Sequence, residues 1–113
     1  MMGKVDFKHT RELLVAAGLE IEKSRYDWEA FGSWYVTVRT APLRRIVWDG
    51  KEGWLFIEEL TNRLFEGFPD WDTIWKAQTS DDQRVERAVA KLCEFSGVAW
   101  DRLGSAANLE SES

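Results

Sequence analysis

The sequence predicts an α+β domain: an N-terminal helix, a mainly antiparallel sheet of about four strands, and two C-terminal helices packed on the sheet. Three observations carry this. Short runs between residues 19 and 60 alternate apolar and polar side chains, with Gly, Pro and Asp between the runs. Both ends of the chain switch to helical spacing. The length of 113 residues allows one sizeable hydrophobic core and not two. Residues 1–103 are read as that single domain, and residues 104–113 (G-S-A-A-N-L-E-S-E-S) as a disordered tail.

The first helix is expected from Asp6, read as its cap, to about Ala17, with Gly18 stopping it. Residues 19–26 set Leu19, Ile21 and Lys23 against Glu20, Glu22 and Ser24, as in an exposed or edge strand. Residues 26–32 read as a wide bend. Residues 33–40 form the next strand, with Trp34, Val36 and Val38 on one face and Tyr35, Thr37 and Arg39 on the other. Ala41-Pro42 breaks it, since proline has no N–H for a ladder.

Residues 43–49 and 54–60 form a hairpin whose register is legible. Placing Asp49 opposite Trp54 leaves a four-residue loop, Gly50 to Gly53. It then pairs Trp48 with Leu55, Val47 with Phe56, Ile46 with Ile57, Arg45 with Glu58, Arg44 with Glu59 and Leu43 with Leu60. Each matched pair contributes about 0.2–1 kcal/mol, and a slip of one residue leaves Arg45 opposite Ile57. The two glycines are expected to supply positive φ angles in the loop. Trp54 then shares a face with Val47 and Phe56, and Trp48 shares the other with Ile46, Leu55 and Ile57. A tight Thr40-Ala41 turn would add Trp34, Val36 and Val38 to the Trp54 face and Tyr35 to the Trp48 face. Both faces of the sheet therefore carry large apolar groups. Either helices cover both, or one is kept for a partner.

Residues 61–67 are read as a short helical turn and Pro69 to Trp75 as a helix start, with Trp71, Ile74 and Trp75 on one face. Ser80-Asp81-Asp82-Gln83 has the form of a capping box. Val85, Ala88, Val89, Leu92 and Phe95 repeat at helical spacing behind it, up to Gly97. Val98 to Trp100 are expected to fold back onto the body. Trp34, Phe56, Val89 and Leu92 are the core residues the pattern marks most strongly.

Composition removes several functions. His9 is the only histidine and Cys93 the only cysteine, so neither a zinc site nor an intrachain disulfide is expected. No phosphate-cradling glycine loop and no nucleophile-elbow pattern is present, and no cofactor is expected. No stretch approaches the roughly 20 apolar residues of a membrane span, and the chain is expected in the cytoplasm. Residues 1–57 carry nine Lys/Arg against eight Asp/Glu; residues 58–113 carry six against twelve. Such an acidic half argues against nucleic acid, although Arg39, Arg44 and Arg45 stand near Tyr35 and Trp48.

The informative excess is aromatic: seven Trp, six Phe and two Tyr in so small a chain. Each ring buries about 150–250 Å², more in total than one small core requires. Trp28, Tyr35, Trp48 and Trp71, with the Asp70 and Asp72 carboxylates beside Trp71, are the expected partner-binding residues. The expected function is non-enzymatic: binding of a protein partner, a basic one, through an aromatic patch with an acidic rim. In size, acidity and general build the chain is similar to small bacterial immunity proteins, a likeness that implies inhibition of a toxin by occlusion. Two alternatives stand beside it. One is a small-ligand or enzymatic pocket between sheet and helices, with Asp27, Glu29, Arg39 or Asp72 as polar contacts. The other is a self-associating subunit, a homodimer through the edge strand or the second sheet face.

Overall fold

Helical spacing and the acid in the first turn produce α1 (Lys4–Ala16), which buries Phe7, Thr10 and Leu14. Asp6 is not its cap, as the sequence suggested, but lies inside the first turn, where its Oδ2 accepts the Gly3 N–H at 3.1 Å. The computed structural model describes residues 3–61, 70–78 and 83–98. Five strands follow α1: β1 (Ile21–Asp27), β2 (Ser33–Val38), β3 (Arg44–Asp49), β4 (Trp54–Thr61) and β5 (Asp70–Ala77). They form one antiparallel sheet in the order β1-β2-β3-β4-β5. The last described element is α2 (Arg84–Phe95).

Both helices lie on one face of the sheet, α1 over β1 and β2, α2 over β3 and β4, in contact with each other. His9 Nε2 and Glu86 Oε2 meet at 2.9 Å across the helix pair. Between helices and sheet sits the core: Trp34, Val36 and Val38 from β2, Ile46 from β3, Leu55 and Ile57 from β4, Val85, Ala88, Val89 and Leu92 from α2, and Phe7 and Leu14 from α1. Full burial of one such side chain is worth about 1.5–3 kcal/mol.

The hairpin of β3 and β4 has the register its charges dictate, from Asp49 opposite Trp54 to Arg44 opposite Glu59. Asp49 Oδ1 accepts the N–H groups of Lys51 and Glu52, closing the turn. The two glycines have different reasons to be there. Gly53 takes a φ of 78°. Gly50 makes room: a Cβ on it would lie 2.0 Å from the Phe31 carbonyl oxygen. The β1–β2 loop is thereby seated against this turn, and the Ser33 hydroxyl accepts the Gly50 N–H at 2.9 Å. Phe31 itself holds a positive φ of 59°, a conformation costing roughly 1–2 kcal/mol for an L-residue.

Three expectations are corrected. First, β2 is joined to β3 by residues 39–43 rather than by a tight turn, so that Trp34 lies opposite Trp48 and Val36 opposite Ile46. The difference of one position exchanges the faces. Trp34, Val36 and Val38 share the helix-covered face with Trp48, and Tyr35 joins Trp54. Second, residues 70–77 are a fifth strand and not a helix; a single C-terminal helix is described where two were expected. The spacing of Trp71, Ile74 and Trp75 fits one helix face, but it fits a bulged strand as well. The register shifts between Ile57 and Glu58, so that Trp75 pairs with Ile57 and Thr73 with Glu58. The bulge puts Trp71 and Trp75 on opposite faces. Third, Phe56 is half-buried on the uncovered face rather than in the core.

The helical turn read over 62–67, Ser80 of the capping box, Trp100 and the tail at 104–113 lie outside the described residues. Gln83 is the cap of α2 and makes no side-chain capping bond. No described helix is long and apolar enough to cross a membrane.

Candidate functional site

Strand pairing arranges the face opposite the helices in cross-strand rows. One row reads Arg25, Tyr35, Val47, Phe56, Lys76. The next reads Lys23, Thr37, Arg45, Glu58, Thr73. Trp54 and Trp71 flank them from β4 and β5. No described helix lies over this face, and Tyr35, Trp54, Phe56 and Trp71 are half-buried on it.

Arg45 is the centre of the arrangement. Its guanidinium carbon lies 3.9 Å from the Trp71 ring centroid and 5.4 Å from that of Tyr35. Glu58 holds it from the side, with Nε donating to Oε1 at 2.8 Å. Register places Arg45 and Glu58 directly opposite each other, and the weakly hydrated guanidinium plane suits stacking on rings. A second cation, Lys76, stands over Trp54 at 4.5 Å and near Phe56 at 6.0 Å. At the end of the face, the loop between β1 and β2 exposes Trp28 and Phe31, at 72% and 65%. Lys51 lies 6.0 Å from the Phe31 ring.

The predicted binding residues are only partly assembled. Tyr35 and Trp71 meet around Arg45. Trp28 is exposed on the loop at one end. Trp48 lies on the helix-covered face, packed against the core. Asp70 and Asp72 alternate with Trp71 along β5 and so occupy the opposite face. The acidic rim expected around Trp71 needed a helix or loop; a strand separates those carboxylates from the ring between them. The hairpin register already sets Trp54, Phe56 and Val47 on one face, but the sequence pattern marks Phe56 as core, and neither Trp54 nor Lys76 stands among the expected binding residues.

Polar groups named for an internal pocket do not converge between sheet and helices. Arg39 pairs with Glu22 at 2.6 Å and stands 3.8 Å from Glu20, at the edge of the sheet. Asp27 instead helps to line a cleft of about 340 Å³ at the end of the sheet beside the β1–β2 loop, where Arg25, Tyr35 and Val47 from one face meet Trp34 and Trp48 from the other. A larger cleft, about 490 Å³, runs between α1 and the β1 edge beside Val15, Ala16 and Ile21, and gathers none of the aromatic residues. Among the described residues no group of three or more His, Cys, Asp or Glu gathers as a metal site. Cys93 is buried in α2, and burial pushes its thiol up to about 11.

No family model matches the chain, and neither a curated protein nor a solved structure matches it.

Proposed function

We propose that this chain is a non-enzymatic protein-binding domain that docks a partner on the open face of its sheet. One observation carries the reading. Tyr35, Arg45 and Trp71 form a stacked set, with Phe56 and Trp54 beside it, on a face that no described helix covers. Trp, Tyr and Arg are the residues that dominate binding hot spots, because large rigid groups lose little entropy on docking. Arg45 is held in place before any partner arrives, which lowers the ordering cost of association. An occluding inhibitor of the immunity type is the concrete form of this function. A basic partner is not retained, because Asp70 and Asp72 lie on the other face.

Affinity capture from the source cell with wild type and with Trp71→Ser and Tyr35→Ser variants tests the reading. Both variants should keep the folded circular dichroism spectrum and lose the captured partner. A partner retained equally by both variants rules out this face.

A second reading, a small-ligand site, has the cleft beside the β1–β2 loop in its favour, since Arg25, Asp27, Tyr35 and Trp48 line it in about 340 Å³. That volume is near the lower end for small-molecule pockets, about 300–1,000 Å³. Fragment binding monitored at the amides of Tyr35 and Val47, with no protein partner captured, would favour it.

A further inference from the structure

The charges of the open face differ from those of the chain as a whole. The chain carries a net −5. Yet the two central rows hold Lys23, Arg25, Arg45 and Lys76 against one carboxylate, Glu58, and that carboxylate is bound to Arg45. Among the described strand residues, Asp27 and Asp49 add carboxylates at the end of the face near the turns, and Glu22, at the bulge of β1, is bound to Arg39 at 2.6 Å. Asp27 Oδ1 accepts the Glu29 N–H at 3.1 Å, and Asp49 Oδ1 accepts from Lys51 and Glu52. Arg25 reaches Asp27 only at 3.8 Å and stays largely exposed. Lys23 and Lys76 have no carboxylate partner among the described residues. The first row thus ends in a cation on each side, Arg25 and Lys76, with Tyr35, Val47 and Phe56 between them. Four strand spacings separate its ends, about 19 Å.

We propose that the open face receives an acidic protein segment: carboxylates that meet Arg25 and Lys76, with apolar side chains between them lying on Tyr35, Val47 and Phe56. This rests on the docking reading above and adds the partner's chemistry. Charge complementarity selects the sign, since a basic segment would meet a surplus of cations. A single-stranded nucleic acid fits less well. Its bases need open ring faces for stacking, and Trp71 and Trp54 already hold Arg45 and Lys76 over a face. The net negative charge of the chain also repels a long polyanion, whereas two local carboxylates require only two local cations.

The test is a set of amide-resonance titrations of the full chain. The probes are three synthetic peptides of equal length, with leucine and tryptophan alternating with glutamate, glutamine or lysine, and a short oligothymidylate. The glutamate peptide should shift the amides of Arg25, Tyr35, Val47, Phe56 and Lys76. It should bind about fivefold more tightly than the glutamine peptide at low salt, an advantage that added salt erodes. The Arg25→Gln, Lys76→Gln double variant, altered only at exposed positions, should lose that preference and keep the folded spectrum. Glutamine or lysine peptides binding the same amides as tightly as glutamate would overturn the acidic assignment and leave the docking face standing. Oligothymidylate shifting these amides while the peptides do not would replace it with a nucleic-acid surface. No probe shifting them would overturn both the assignment and the docking reading.

Discussion

The Arg45 guanidinium lies 3.9 Å from the centre of the Trp71 ring, and no residue near Arg45 in sequence brings the two together. Glu58, opposite Arg45 in the hairpin, sets the guanidinium in place, and β5 then carries Trp71 over it. Replacing Arg45 by alanine removes the stack and leaves a mostly buried carboxylate without its partner. The expected cost is about 1–2 kcal/mol, read from urea unfolding at constant slope. Arg45→Lys keeps the charge but not the planar stack or the fork, and should recover less than half of that loss.

Adjacent positions on β4 should respond in opposite order to their size. Ile57 is fully buried against the helices, whereas Phe56 lies half-buried on the open face. Ile57→Ala is expected to destabilise by about 2–4 kcal/mol and Phe56→Ala by about 1 kcal/mol. Equal losses in thermal or urea unfolding would mean that the second face is sealed as well as the first.

Gly50 tests the seating of the β1–β2 loop. Its would-be Cβ meets a backbone oxygen, which cannot rotate away. Gly50→Ala should therefore cost about 2 kcal/mol or more, by displacing the loop or the turn. Gly53→Asn, where only the positive φ of 78° matters, should cost under about 1 kcal/mol. The ordering of the two in unfolding experiments is the decisive result.

Burial of Cys93 links the fold to alkaline pH. The folded thiol is pushed from 9.0 up to about 11, so the unfolded chain loses this proton first as pH rises. The stabilisation is complete below pH 9 and falls away as pH climbs towards about 11. Cys93→Ala should flatten the stability profile across that window. In the wild type, a thiol reagent at neutral pH should label the protein only as fast as it unfolds.

The sequence by itself determined the helix-strand class, the β3–β4 register and the surplus of rings. These are local matters: Arg44 and Arg45 meet Glu59 and Glu58 within one hairpin, and a slip would break several pairs at once. Only the tertiary structure decided that β2 enters one position out of phase with a tight turn, and that residues 70–77 extend the sheet as a strand. The reason is physical. A five-residue connection has no side-chain signature strong enough to set parity, and the apolar spacing of Trp71, Ile74 and Trp75 suits two backbones equally. The free edge of β4 offered β5 a ladder of hydrogen bonds. That pairing, more than any local preference, carried Trp71 to Arg45 and turned Asp70 and Asp72 away from both.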